Sequence, residues 1–203
     1  MKKINLKQAT IKIRNNTSLY DYYKPALFYS LISNVQAIKS ELDAEKGIDM
    51  YFLEKAKKDK KEIIELESAM YQYNMLASFP DEMYDYMIKY SILNDEYMVE
   101  STKKLYEAWL AGNVDDIIMY SMGEDEYVEQ GTYDEYKNVD SLMEDYNEKL
   151  IYVRNREMTE KIDDYFKDDK DIFLVVGIGH IVGEDGIVDL LTELDYNINL
   201  IAY

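Results

Sequence analysis

The chain has no cysteine, two prolines and one histidine among its 203 residues. Without cysteine there is no disulfide framework and no thiolate metal site, and the redox compartment is left open. With a single imidazole, His180, no mechanism that needs two histidines can be completed by this chain alone. Basic residues are scarce: 23 Lys and Arg stand against 41 Asp and Glu, a formal net charge of −18. That balance argues against nucleic acid, where basic side chains must neutralise phosphates, and against anionic membrane surfaces. Its usual meaning is solubility; a divalent metal or a cationic peptide is compatible with it but not implied. No apolar stretch approaches the ~20 residues of a transmembrane helix. The basic start, Met1 to Gln8, has no apolar region behind it, so no signal peptide is visible. Localisation stays open, since a longer protein could carry an export signal or an anchor. The Asn15-Asn16-Thr17 tripeptide is too weak a pattern to imply glycosylation.

What is present is a globular composition, 47% hydrophobic, long enough for one domain with a real core. Ala9–Arg14 alternates and reads as a strand. Residues 19–46 carry Leu19, Tyr22, Tyr23, Leu27, Leu31, Val35, Ile38 and Leu42 at helical spacing, with Pro25 in the first turns and Gly47 as the stop. Residues 48–58 read as a second helix and Lys61–Glu67 as a short strand. Ser68 is placed to cap a helix to about Phe79, which Pro80 and Asp81 break. From Met83 to Trp109 the apolar residues keep a helical rhythm with a break near Asn94, closed by Gly112-Asn113. Residues 114–122 read as a short helix, 123–134 as an acidic loop, and 139–166 as one long helix. Ile172–Gly177 reads as a buried strand, 185–194 as a helix with one apolar face, and Asn197–Tyr203 as a last strand.

The fold predicted from this pattern is α/β: helix-rich with a small mixed sheet, ending in a C-terminal strand–helix–strand unit of right-handed parallel type. A helical lobe over residues 82–166 sits within a single domain, 1–203. Three or four strands are few for this length. An exposed sheet edge is therefore expected, covered by helices, by another segment or chain, or by homo-oligomer formation.

Candidate chemistry begins at His180, in Gly177-Ile178-Gly179-His180, just past the most apolar run of the chain. In open α/β sheets sites collect beyond the carboxyl ends of strands, and imidazole serves as metal ligand or general base near neutral pH. The competing reading is a hydrogen-bonded structural histidine. Gly177 and Gly179 either allow close approach of a ligand or simply form the turn. Glu65 and Glu67 alternate with Ile64 and Leu66, so both carboxylates leave one face of their segment. Glu67 and His180 converging on one rim could bind a divalent metal; a solvated strand end is the plainer alternative. Leu150, Arg154, Met158 and Ile162 are spaced by four, so Arg154 lies within or beside an apolar stripe and must meet a carboxylate, a carbonyl or a substrate. Pairing with Glu157 would be purely structural. Asn155 lies further round the helix and Arg156 faces solvent. Gly183-Glu184-Asp185-Gly186 opens the last helix with acidic residues that suit its dipole, and it lacks the lysine and glycine pattern of a phosphate loop.

Arg154-Asn155-Arg156-Glu157-Met158, then the run Phe173-Leu174-Val175-Val176-Gly177-Ile178-Gly179-His180-Ile181-Val182-Gly183-Glu184-Asp185-Gly186, resembles the TraB/GumN family, which includes the Tiki-type metalloproteases. Upstream, Lys24-Pro25-Ala26, Gly47–Leu53, and Ile64-Glu65-Leu66-Glu67-Ser68 with Gln72 match in order and rough spacing, so the resemblance covers most of the chain from about residue 20. It implies an α/β fold with a pair of Gly-x-x-His motifs and acidic residues around a divalent metal: manganese, cobalt or zinc. Position by position it makes His180 the second motif histidine and a metal ligand. It makes Glu67 the acidic position, a ligand or general base, and Arg154-Asn155 the family's Arg-Asn pair. The implied activity is metal-dependent peptide hydrolysis; bacterial members are linked to shutdown of peptide pheromone signalling. The chain departs from the pattern in lacking the first Gly-x-x-His motif and the strands around it, so the expectation is a family domain without its N-terminal part. The rival expectation is a non-catalytic module that binds a peptide or a partner chain.

Overall fold

The computed structural model describes residues 24–122, 138–168 and 170–201. Helix α1 (Pro25–Lys39) starts with proline at the position where its missing N–H costs nothing. A 3-10 turn (Ala44–Lys46) follows, and Gly47 leads into α2 (Ile48–Lys58). Helix α3 (Ala69–Ser78) is capped by Ser68, whose Oγ accepts from Tyr71 N–H at 3.1 Å. Pro80 separates it from α4 (Asp81–Leu93), which opens on Asp81 and Glu82 in keeping with the helix dipole. Asn94 ends α4, and α5 (Asp95–Ala111) stops at Gly112, which takes the left-handed conformation at φ 66°. Helix α6 (Val114–Met122) follows. Beyond it, α7 (Val139–Asn147) runs through one turn of π-helix (Glu148–Tyr152) into α8 (Val153–Lys167). A short 3-10 turn (Ile178–His180) and α9 (Ile187–Glu193) complete the order.

Two apolar cores result. The first joins Phe28 of α1, Phe79, five residues of α4 from Met83 to Ile88, and Val139 of α7. Two polar ties hold α1 to its neighbours: Gln36 Nε2 donates to Ser91 O at 3.0 Å, and Ser40 Oγ lies 3.1 Å from Val99 O. The second core is smaller: Met158 and Ile162 of α8 meet Ile187 and Leu191 of α9, with Leu66, Leu174, Val176 and Tyr196 packed against them. No helix among the described residues is long and apolar enough to cross a membrane.

The predicted α/β architecture is overturned: the described residues contain helices and no strand, hence no mixed sheet, no strand–helix–strand unit and no sheet edge. The expected strands at 61–67, 172–177 and 197–201 are unladdered chain. In 173–176 the side chains do alternate, Leu174 and Val176 turning to the second core while Phe173 is 72% exposed. Alternation makes a sheet only when another backbone runs alongside at roughly 4.8 Å. No backbone hydrogen bond joins these three segments to one another. The helix readings fare better, except that the first helix ends at Lys39 instead of running to Gly47. The strand expected at 9–14, the first turns at 19–23 and the acidic loop at 123–134 lie outside the described residues.

Candidate functional site

Glu67, Arg154, Asn155 and His180 come together where the second core meets α8. Residues 66–67 form a bend before the Ser68 cap, which turns the Glu67 side chain inward; that side chain is 4% exposed. Arg154 projects from the first turn of α8 and grips it with two parallel bonds, Nε to Oε1 at 2.8 Å and Nη2 to Oε2 at 2.7 Å. Bidentate geometry of this kind is the strongest carboxylate pairing a side chain makes. Nη1 donates to Leu150 O at 2.8 Å, and Gln72 Nε2 adds a bond to Glu67 Oε2 at 3.0 Å. Burial works to raise the Glu67 pKa, but the Arg154 hydrogen bonds, Gln72 and the guanidinium charge outweigh it and hold the carboxyl below its ordinary value.

Asn155, 1% exposed, works in the other direction along the cluster. Its Nδ2 donates to Asp185 O at 2.8 Å, tying α8 to the loop before α9. With Nδ2 so used, Oδ1 is the acceptor that meets His180 Nδ1 at 2.7 Å. The imidazole therefore carries its proton on Nδ1 and keeps Nε2 as an open lone pair. Burial and then the Arg154 charge push the His180 pKa down, with Glu67 opposing, which favours the neutral ring. The loop that holds it is tight. A Cβ on Gly186 would lie 2.7–2.9 Å from three backbone oxygens, so only glycine fits there. A Cβ on Gly179 meets nothing within 4 Å, which leaves open space next to His180.

The sequence singled out these four residues, and the structure brings all four together. It also corrects their pairing: the Arg154 partner is Glu67 and not Glu157, whose carboxylate instead accepts from Tyr71 OH at 2.9 Å. Glu65 is exposed and outside the cluster, and Arg156 faces solvent, paired to Glu148. The contributions of Leu150 O and Asp185 O were not legible, because a backbone carbonyl carries no mark in sequence. Gln72 is marked in the sequence by its place in the upstream stretch that resembles the family, with nothing to show that it meets Glu67.

As a metal site the cluster offers one clean ligand, His180 Nε2, held by its other nitrogen in the way bound histidines are held. Both Glu67 oxygens are already committed to Arg154. The described residues contain no group of three or more His, Asp or Glu side chains placed to hold an ion. The donor set on the page is thus a single position and not a cage.

The chain belongs to the TraB/PrgY/gumN family, whose match spans residues 3–200. No curated protein and no solved structure matches it.

Proposed function

We propose that this protein is a metal-dependent peptidase acting on peptides, pheromone-type signals among them, with His180 as one metal ligand. The observation that carries the reading is the Asn155–His180 bond, which fixes the tautomer and leaves Nε2 as the unshared nitrogen. Glu67, Arg154 and Asn155 form the frame. Asn155 orients the ring, and Arg154 holds Glu67 charged beside it. Glu67 becomes a base or a ligand only when Arg154 releases one of its oxygens. Bound manganese, cobalt or zinc would supply a Lewis acid and an activated water. Its further ligands would come from beyond these four side chains. Calorimetric titration with each of the three metals, on the wild type and His180→Ala, tests this together with hydrolysis of a peptide panel. Binding and turnover that both vanish in His180→Ala are expected; turnover that survives the substitution sinks the assignment.

A second reading, a non-catalytic module for a peptide or partner chain, is favoured by one observation: the two charged groups saturate each other. Peptide binding without turnover, at any metal concentration, would select it.

A further inference from the structure

We propose that the cavity between α1, α3, α4 and α7 is a binding site for an alkylammonium group. The cavity has a volume of about 270 Å³ and is lined by Ala26, Tyr29, Ser30, Leu76, Tyr84 and Tyr146, among others. That is room for roughly nine waters' share of liquid volume. Three of its hydroxyls are oriented. Ser30 Oγ donates to Ala26 O at 3.0 Å, Ser33 Oγ to Tyr29 O at 3.2 Å, and Tyr84 OH to Leu76 O at 2.7 Å. Each of these three has spent its proton on a backbone carbonyl and offers lone pairs, while Asn34 adds an amide oxygen beside its N–H donors. No lysine or arginine lines the cavity, and no carboxylate does.

Around the lone pairs stand aromatic rings. Tyr29 and Tyr84 lie 6.2 Å apart with planes inclined by 47°, and Tyr146 joins them through Phe79, 4.9 Å from it and 6.5 Å from Tyr84. Rings set at several tilts around acceptors suit a cation, because the ring quadrupole attracts positive charge. The same cluster already holds one ammonium: Lys149 Nζ sits 5.7 Å from the Phe79 centroid. Burial raises the pKa of all three tyrosines, that of Tyr84 to about 12, so they stay neutral and do not turn the cavity anionic. Arg154, whose charge reaches Tyr146, is paired with Glu67, and the overall charge of −18 draws cations toward the chain.

The site stands apart from the peptidase reading and survives its failure. The test titrates the full chain with butylammonium and with butan-1-ol, its neutral counterpart, following tyrosine ring resonances. The cation should bind about tenfold more tightly than the alcohol. Tyr146→Leu and Tyr29→Leu should abolish the difference, while Tyr146→Phe keeps it. Nα-acetyl-lysine amide in parallel identifies the source. Binding comparable to butylammonium points to a peptide side chain, and binding of the free amine alone points to a small metabolite; either supports an ammonium site. Equal affinity for the alcohol on the wild type, no saturable binding of either probe, or unchanged affinity in a folded Tyr146→Leu overturns the proposal. The probe pair on the wild type decides even if the leucine variants fail to fold.

Discussion

The helices α1 to α7 and the C-terminal part from α8 onward are stabilised by different means. In the first, each helix satisfies its own backbone, and apolar side chains of α1, α3 and α7 pack against α4, where Met83 and Ile88 are each 1% exposed. In the second, α8 and the seven-residue α9 share one small core with Leu174, Val176 and Tyr196, and Leu200 is 83% exposed. What compensates is polar cross-linking: Glu67 to Arg154, Asn155 to Asp185 and His180, and Tyr196 OH to Asp163 at 2.8 Å. Apolar packing tolerates repacking, whereas a buried polar network fails as a unit when one partner is lost. The candidate site is built from the second kind of material.

Removing one member of that network should give the largest effect. Arg154→Ala strands a buried carboxylate and should cost about 3–5 kcal/mol in urea denaturation, with much of it recovered when Glu67→Gln is added. If the single variant loses less than about 1 kcal/mol, the network does not carry the C-terminal part. Next, Met83→Ala in the first core should cost about 2–5 kcal/mol, whereas Leu200→Ser should stay within about 0.5 kcal/mol. Similar losses at the two positions would erase the contrast.

Acid should act on the second region through its two titrating groups. Burial and the Arg154 charge depress the His180 pKa, so the folded state takes up a proton less readily than the unfolded chain. Its contribution is complete above the ordinary histidine value of about 6.5 and is lost as pH falls through that value toward the folded one. Glu67, also depressed on balance, contributes above the ordinary glutamate value of about 4.3, and that contribution disappears as pH falls through its folded pKa. Metal-free protein should therefore lose stability in two steps on acidification. His180→Gln should remove the upper step and leave the lower one, read from urea midpoints across the pH range. The smallest effect is a gain: Thr159 Oγ1 is buried without a partner, so Thr159→Val should stabilise by about 1 kcal/mol.

Much of the helical framework is legible in the sequence because its signals are local. Pro25, Ser68, Pro80 and Gly112 each mark a boundary through their own backbone chemistry, and the structure has a boundary at each. The site is legible in its membership and only partly in its wiring. The position of Arg154 on an apolar stripe demands a carboxylate, but periodicity cannot choose between Glu157, three residues on, and Glu67, 87 residues away. The sheet was misread for a related reason. Alternation in Phe173–Val176 reports which side chains face a core, and says nothing about whether another backbone lies alongside.

The π turn between α7 and α8 has a consequence for how this chain can vary in length. Val153 N–H reaches back five residues to Glu148 O, one more than an α-helix uses. Each residue of helix advances the face by roughly 100°. Upstream of the turn the buried face supplies Tyr146 to the first core; downstream it supplies Arg154, Asn155, Met158 and Ile162 to the second. A π turn of five residues advances the face about as far as four α residues do, so a single deletion within residues 148–152 that restored a regular α repeat would leave all four downstream residues close to their present facing. Forcing the same five residues into an α repeat would instead swing that face by roughly 100°. The π turn is a phase buffer: it takes up one residue of length while a cavity and a site, built from one continuous helix, keep pointing at two different neighbours.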